Sequence, residues 1–261
     1  MKWPEELTLI RHDESEYNIL KAKKEADPLY IEFIKEFEKD HLSSETLGLA
    51  MQVKAMYALK NGDHSTSLTL DSGHGEQVGK KLREMSLEDQ IKLPDIVFVS
   101  PYERTLRTLA RITVGWPELK NVRVVEEGRI REQEHGLSLI YNDWRVFQAF
   151  HPEQKELHDL EGSYYYRYPQ GESMEDVRER NRSWLNTLTR DFAGANVLTV
   201  THHLTILAAR ANLERLSAGE CQFLDKYEKP INLGVTIYRG NPNLGSDGRL
   251  ILDTYNAKLY D

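Results

Sequence analysis

Cysteine is almost absent from this sequence. Cys221 stands alone in 261 residues, so no intramolecular disulfide can form, which suits a reducing compartment. It lies in SAGECQFLDKY, an amphipathic helical pattern, and reads as a packed residue. Long apolar runs are missing too. None approaches the roughly 18 residues of a membrane span, and the opening MKWPEELTLIRH has no apolar signal-peptide core. These features predict a cytoplasmic protein with no membrane partner. Nor is there an excess of positive charge: 34 Lys and Arg stand against 42 Asp and Glu, a formal net charge of −8. Such a surface repels a phosphate backbone and argues against nucleic acid as a partner. An anionic substrate must then be caught by a local pocket. Internal repeats, low-complexity tracts and a recognisable interdomain linker are lacking as well.

What is present is enough hydrophobic material, 39% of residues, for a large α/β domain. Six segments read as strands: LTLI (7–10), DIVFVS (95–100), VRVVEE (122–127), NVLTVT (196–201), GVTIYR (234–239) and LILDTY (250–255). Their nearly continuous apolar character predicts strands covered on both faces. Helical patterns alternate with them: HGEQVGKKLREMS, SMEDVRERNRSWLNTLTRDF and HLTILAARANL. The second opens with Ser173 and has Asp176 three residues on, a capping signature. This alternation predicts an α/β three-layer sandwich with a mostly parallel central sheet and helices on both faces. Two stretches fit it poorly and read as insertions into one domain. Residues 21–61 are charged and helical, and residues 137–170 are rich in aromatics, among them Tyr141, Trp144, Phe147, Tyr164, Tyr165 and Tyr166. The aromatics are expected to fold over the site, either packing an accessory layer or touching substrate.

In open α/β sheets, ligands bind beyond the carboxyl ends of the strands. The first strand ends in Arg11 and His12, and 95–100 ends in Ser100 with Arg104 and Arg107 just after it. The strand at 122–127 leads to Glu132, and 196–201 leads to His202 and His203. Taken singly, each is an ordinary surface or core residue. Together they bring basic groups and one carboxylate, distant in sequence, to one edge of a sheet, which is the composition of an anion site. No metal-ligand spacing is present.

These segments resemble the motifs of the histidine phosphatase superfamily, also called phosphoglycerate mutase-like. RHDESEYN, SPYERTLRTLA, RIREQEHG, PQGESMEDVRERNRSWL and LTVTHHLTI occur in the family's order across nearly the whole chain. SPYERT, RIREQEHG and YYYRYPQGES look nearest to plant-type phosphoglycerate mutase-like proteins. The resemblance implies a metal-independent phosphomonoester hydrolase without cofactor, acting on a small phosphorylated molecule. His12 would form a phosphohistidine. Arg11, Arg104 and His202 would hold the phosphoryl oxygens, Glu132 would serve as acid and then base, and Ser15, Asn18 and His203 would contact substrate. A homo-oligomer is compatible with it. The chain departs from the pattern at Asp13 and His203, where the family has glycine, and at His74 in LDSGHGEQV. An aspartate at position 13 is expected to keep the turn by tolerating left-handed backbone, and its charge, if aimed at phosphate, to weaken binding. The mutases' Asn-Arg-Phe segment is replaced by NILKAKKEAD, which favours a phosphatase. Two alternatives remain: mutase-type phosphoryl transfer, and a degenerate member that binds a phosphorylated ligand or a partner without turnover.

Overall fold

Successive side chains of a strand point to opposite faces, and the first strand, β1 (Glu6–Arg11), feeds two cores in this way. In the computed structural model, which describes residues 2–56 and 73–261, Leu7 and Leu9 join one apolar cluster and Ile10 joins another. The helices are α1 (Glu16–Glu25), α2 (Pro28–Lys39), α3 (Ser44–Met56), α4 (His74–Leu87), α5 (Glu103–Gly115), α6 (Trp144–Phe150), α7 (Pro152–Glu161), α8 (Met174–Asp191), α9 (His203–Leu213) and α10 (Ala218–Tyr227). The other strands are β2 (Ile96–Val99), β3 (Arg123–Glu126), β4 (Asn196–Thr201), β5 (Val235–Asn241) and β6 (Arg249–Ala257). Val78 and Leu82 of α4 and Leu109 and Ile112 of α5 cover the Ile10 face, together with Val97, Val99 and Val200 of the sheet. Trp184 and Leu188 of α8 and Ile206 and Ala209 of α9 cover the Leu7 face with Phe98 and Val197. The result is the three-layer α/β arrangement that the sequence predicts.

The sheet order is β3-β2-β4-β1-β5-β6. β3, β2, β4 and β1 run parallel, β5 runs antiparallel to β1, and β6 antiparallel to β5. The four parallel strands therefore end at one edge, and β5 begins there. Coverage on both faces holds for the inner strands only. β3 is an edge strand, with Val124 49% exposed, and β6 alternates exposed with covered positions only from Arg249 to Thr254, where Leu250 is the one buried residue. An edge strand has a neighbour on one side only, so its valines pack less completely.

α4 and α5 approach with backbone in contact. A Cβ on Gly115 would stand 2.1 Å from the Glu76 carbonyl oxygen, and one on Gly79 would stand 2.2 Å from that of Ile112. Glycine at both positions lets α5 seat closely on the sheet side of α4, which fixes the helix that carries Arg104.

The chain divides into two compact units: Met1–Glu14 with Leu68–Glu132 and Asp176–Asp261, and Ser15–Ser67 with Gln133–Glu175. The first contains the sheet. The second takes in both segments that read as insertions and has its own core of Tyr30, Phe33, Phe37, Leu49, Val53 and Val146. Phe147, Tyr164 and Tyr166 are buried, whereas Tyr165 is 51% exposed. Residues 57–61 of the first insertion and 70–72 of LDSGHGEQV lie outside the described residues. No helix among the described residues is long and apolar enough to cross a membrane.

A buried ion pair braces the second unit. Lys24 Nζ lies 2.5 Å from Asp143 Oδ2, the Tyr30 hydroxyl donates to the same oxygen at 2.6 Å, and Asp143 Oδ1 caps α6 through the Arg145 amide at 2.7 Å. Burial pushes the Asp143 carboxyl up, but Lys24, Tyr30 and the capped amide outweigh it and hold it below the ordinary carboxylate range. Lys24→Met leaves that carboxylate buried without its cation and is expected to cost about 3–5 kcal/mol in urea unfolding. Because the folded value is depressed, the pair's contribution is complete above the unfolded value of about 3.9 and disappears as pH falls through the lower folded value. The gap between wild type and Lys24→Met should therefore close in acid. A gap that stays constant down to pH 3 would show that the pair is not the source.

Candidate active site

The register of the parallel strands brings distant residues together. Arg11 pairs with Thr201 and Val99 with Val200. The chain then leaves three adjacent strands at His12, His202 and Ser100. The His12 amide donates to the Thr201 carbonyl at 2.9 Å, and the Ser100 amide to that of Val200 at 3.1 Å. The imidazoles of His12 and His202 lie 5.1 Å apart at 60°, and His202 Nε2 is 2.7 Å from Ser100 Oγ.

Arg104 occupies the first turn of α5 and is 2% exposed. Its Nε donates to His12 Nε2 at 3.1 Å, and its guanidinium carbon is 4.9 Å from the Tyr102 ring centroid. The other nitrogen of His12, Nδ1, is 2.7 Å from the Asp13 carbonyl oxygen. A carbonyl only accepts, so Nδ1 carries the proton. An arginine Nε–H only donates, so Nε2 presents its lone pair. The partners select one neutral tautomer.

Glu132, 8% exposed, stands on a segment fixed at three successive carbonyls. Thr201 Oγ1 donates to Ile130 at 2.6 Å, Thr205 Oγ1 to Arg131 at 2.7 Å, and an Arg180 amino group to Glu132 at 3.0 Å. Arg11 donates to the Pro230 carbonyl at 2.7 Å. Burial lowers its pKa, while the negative charge of Glu132 acts in the opposite direction. Arg11, His12, Arg104, Glu132 and His202 all belong to the sheet-bearing unit.

Other sequence-selected residues point elsewhere. Arg107 turns along α5 to Glu103, 2.7 Å away on the exposed face. His203 Nε2 lies 2.6 Å from Asp225 Oδ1 of α10. Burial raises the Asp225 carboxyl, but His203 and then Lys229 bring it below its usual range. Ser15 and Asn18 belong to the second unit and form a reciprocal cap on α1: Ser15 Oγ accepts from the Asn18 amide at 3.4 Å, and Asn18 Oδ1 from the Ser15 amide at 3.0 Å.

The two glycine replacements need no special backbone. Neither Asp13 nor His203 has positive φ, so the expected left-handed turn at Asp13 is not formed. Asp13 Oδ1 accepts its neighbour's amide, Glu14 N, at 2.7 Å. Oδ2 stands 3.8 Å from where a Cβ on Gly75 would lie, facing the first turn of α4. The positive end of the α4 dipole suits that carboxylate. Sequence reasoning missed Thr108 and Asn232. Thr108 Oγ1 accepts from the Asp13 amide at 2.9 Å, and Asn232 Nδ2 donates to the His12 carbonyl at 2.9 Å. Thr108 was discoverable from its i,i+4 spacing to Arg104.

One lone-pair nitrogen, two guanidinium groups, a second imidazole and a carboxylate stand at the carboxyl edge of the parallel sheet of this α/β protein, the composition of an anion site. The model of the histidine phosphatase superfamily (branch 1) matches residues 73–239, and the chain belongs to that superfamily. It is 31% identical over 186 residues to the phosphoglycerate mutase-like protein AT74H of Arabidopsis thaliana, covering 62% of this chain and 64% of that one. It spans less than two thirds of the length of the curated relatives AT74H and AT74. Among solved structures, the alpha-ribazole phosphatase from Shigella flexneri superposes with TM-score 0.65 at 16% identity, over 97% of this chain and 96% of that chain. A mycobacterial glucosyl-3-phosphoglycerate phosphatase with inorganic phosphate gives 0.61 at 17%, over 98% of each. At these identities the likeness shows the fold.

Proposed function

We propose that this protein hydrolyses phosphate monoesters of small molecules through a phosphohistidine on His12 Nε2. The observation that carries the reading is the fixed tautomer: Nδ1 committed to the Asp13 carbonyl and Nε2 facing Arg104. In the first step Nε2 attacks phosphorus, the N–P bond forms and the ester P–O bond breaks. Glu132 gives its proton to the leaving oxygen. Arg11, Arg104 and His202 hold the equatorial oxygens, and Arg104 passes its donor from Nε2 to the phosphoryl group as the bond forms. In the second step Glu132, now a carboxylate, takes a proton from water. The water attacks phosphorus, the N–P bond breaks and inorganic phosphate leaves. His203 would have to exchange its Asp225 partner to reach substrate. The reaction proceeds in the cytoplasm, on a substrate of the kind that the structurally similar phosphatases' names describe, a phosphorylated small molecule.

The test is turnover of an aryl phosphate and of a panel of phosphorylated metabolites, scored by kcat/KM, with vanadate affinity measured alongside. Arg104→Ala is expected to lower kcat/KM by roughly 10²–10³ and to weaken vanadate binding. Wild-type vanadate affinity in that variant would remove Arg104 from the pocket. Transfer of phosphate to a second hydroxyl in preference to water would identify a mutase, and vanadate binding without turnover a non-catalytic member.

A further inference from the structure

We propose that Thr108, Asn232 and Tyr260 form a clamp on the His12–Asp13 peptide and act as positioning residues for the nucleophile; the kinetic part rests on the phosphohistidine reading above. Both ends of this one peptide plane are held by side chains. Its carbonyl, on His12, accepts from Asn232 Nδ2 at 2.9 Å, and its amide, on Asp13, donates to Thr108 Oγ1 at 2.9 Å. The next carbonyl along, that of Asp13, receives the imidazole Nδ1 proton. Fixing the peptide plane therefore fixes the acceptor that decides which ring nitrogen keeps its lone pair and where it points.

Thr108 also couples the two partners of the imidazole. Its hydroxyl donates to the Arg104 carbonyl at 2.7 Å, so one hydroxyl joins the peptide beneath Nδ1 to the residue that meets Nε2. Asn232 is itself secured. The Tyr260 hydroxyl donates to its carbonyl at 2.9 Å, and the Tyr260 ring stacks on His74 at 4.6 Å. The following residue, Leu233, is fully buried with φ +58°. A leucine in left-handed backbone is strained and persists where its surroundings enforce it. Here the strained residue sends its amide to the Arg11 carbonyl at 3.1 Å. Strain, stack and two side-chain bonds converge on the strand end that carries His12.

The experiment combines ¹⁵N-histidine NMR of the full chain, with His12 assigned by loss of its signal in His12→Gln, and burst kinetics on an aryl phosphate. Wild type should show His12 as the Nδ1–H tautomer. Thr108→Val removes the hydroxyl at nearly constant shape. It should give a mixture of tautomers and slow phosphoenzyme formation by roughly ten- to a hundredfold at little-changed vanadate affinity. Thr108→Ser should restore both. Tyr260→Phe, which keeps the stack and loses one hydrogen bond, should move both readouts in the same direction by less. The clamp is overturned if Thr108→Val keeps the wild-type tautomer and burst rate, or if serine restores neither. The NMR readout does not depend on turnover. A wild type inactive on every ester would thus remove the phosphatase reading and still leave the clamp decided.

Discussion

His12→Ala is expected to reduce phosphate monoester hydrolysis by roughly 10⁴–10⁶, to the level that binding and charge stabilisation alone sustain. The loss should be in kcat, because Arg11, Arg104 and His202 remain to bind the phosphoryl group. Vanadate, which mimics the pentacoordinate state, should bind more weakly, while inorganic phosphate should bind nearly as before. His12 is 3% exposed, so alanine removes a ring from a packed place and leaves the Arg104 Nε–H without its ring acceptor. His12→Gln, closer in volume and with a polar end, guards against reading a folding defect as a chemical one. Both variants should show the far-ultraviolet dichroism of wild type and a cooperative unfolding transition. Turnover within tenfold of wild type in His12→Gln would remove His12 as nucleophile.

The second large effect separates acid–base work from electrostatic holding at Glu132. The charges of Glu132 and Arg11 interact, and the leaving oxygen needs a proton. If Glu132 supplies it, Glu132→Gln should lower kcat/KM by roughly 10²–10⁴ for alkyl phosphates, whose leaving groups are poor. The good leaving group of an aryl phosphate departs without protonation, so that substrate should lose far less in its first step. Its second step loses the base that activates water, so phosphoenzyme should accumulate. A leaving-group series for wild type and Glu132→Gln checks this. Steeper dependence on leaving-group pKa in the variant supports the acid. An equal loss across the series would leave Glu132 as a positioning carboxylate only. Asp13 is then a poor substitute donor, because its Oδ1 is already engaged by the Glu14 amide and its Oδ2 faces α4.

Much of the fold was legible because inner strands of a parallel sheet carry runs such as LTLI, DIVFVS and NVLTVT that few other structures use. The edges were less so. VRVVEE has the valines of a covered strand, but position in the sheet, which no local pattern encodes, leaves Val124 half in solvent. Arg11, His12, Arg104, Glu132 and His202 could be selected because each ends or follows a strand whose direction the alternation implied. Asn232 could not. It precedes β5, and only the antiparallel direction of β5 returns the loop before it to the edge where β1 ends. Asp13 was misjudged from its type: the residue that replaces a family glycine adopts ordinary backbone and spends its carboxylate on an amide. His203 and Asp225 illustrate the same limit, since helices α9 and α10 bring the pair together across a turn that the sequence marks only by its Ser217 cap.

The central claim is that phosphate passes through His12 Nε2. The direct measurement uses Glu132→Gln, in which the second step is slowed, mixed with a ³²P-labelled aryl phosphate and quenched in alkaline denaturant. The account predicts label bound to protein in near-stoichiometric amount, stable in base and lost in acid, and located by peptide mapping to the segment LTLIRHDESEYN. It also predicts no label when His12→Gln is added to the same chain. Label that survives in the double variant, or full turnover with none trapped at any time point, would contradict it.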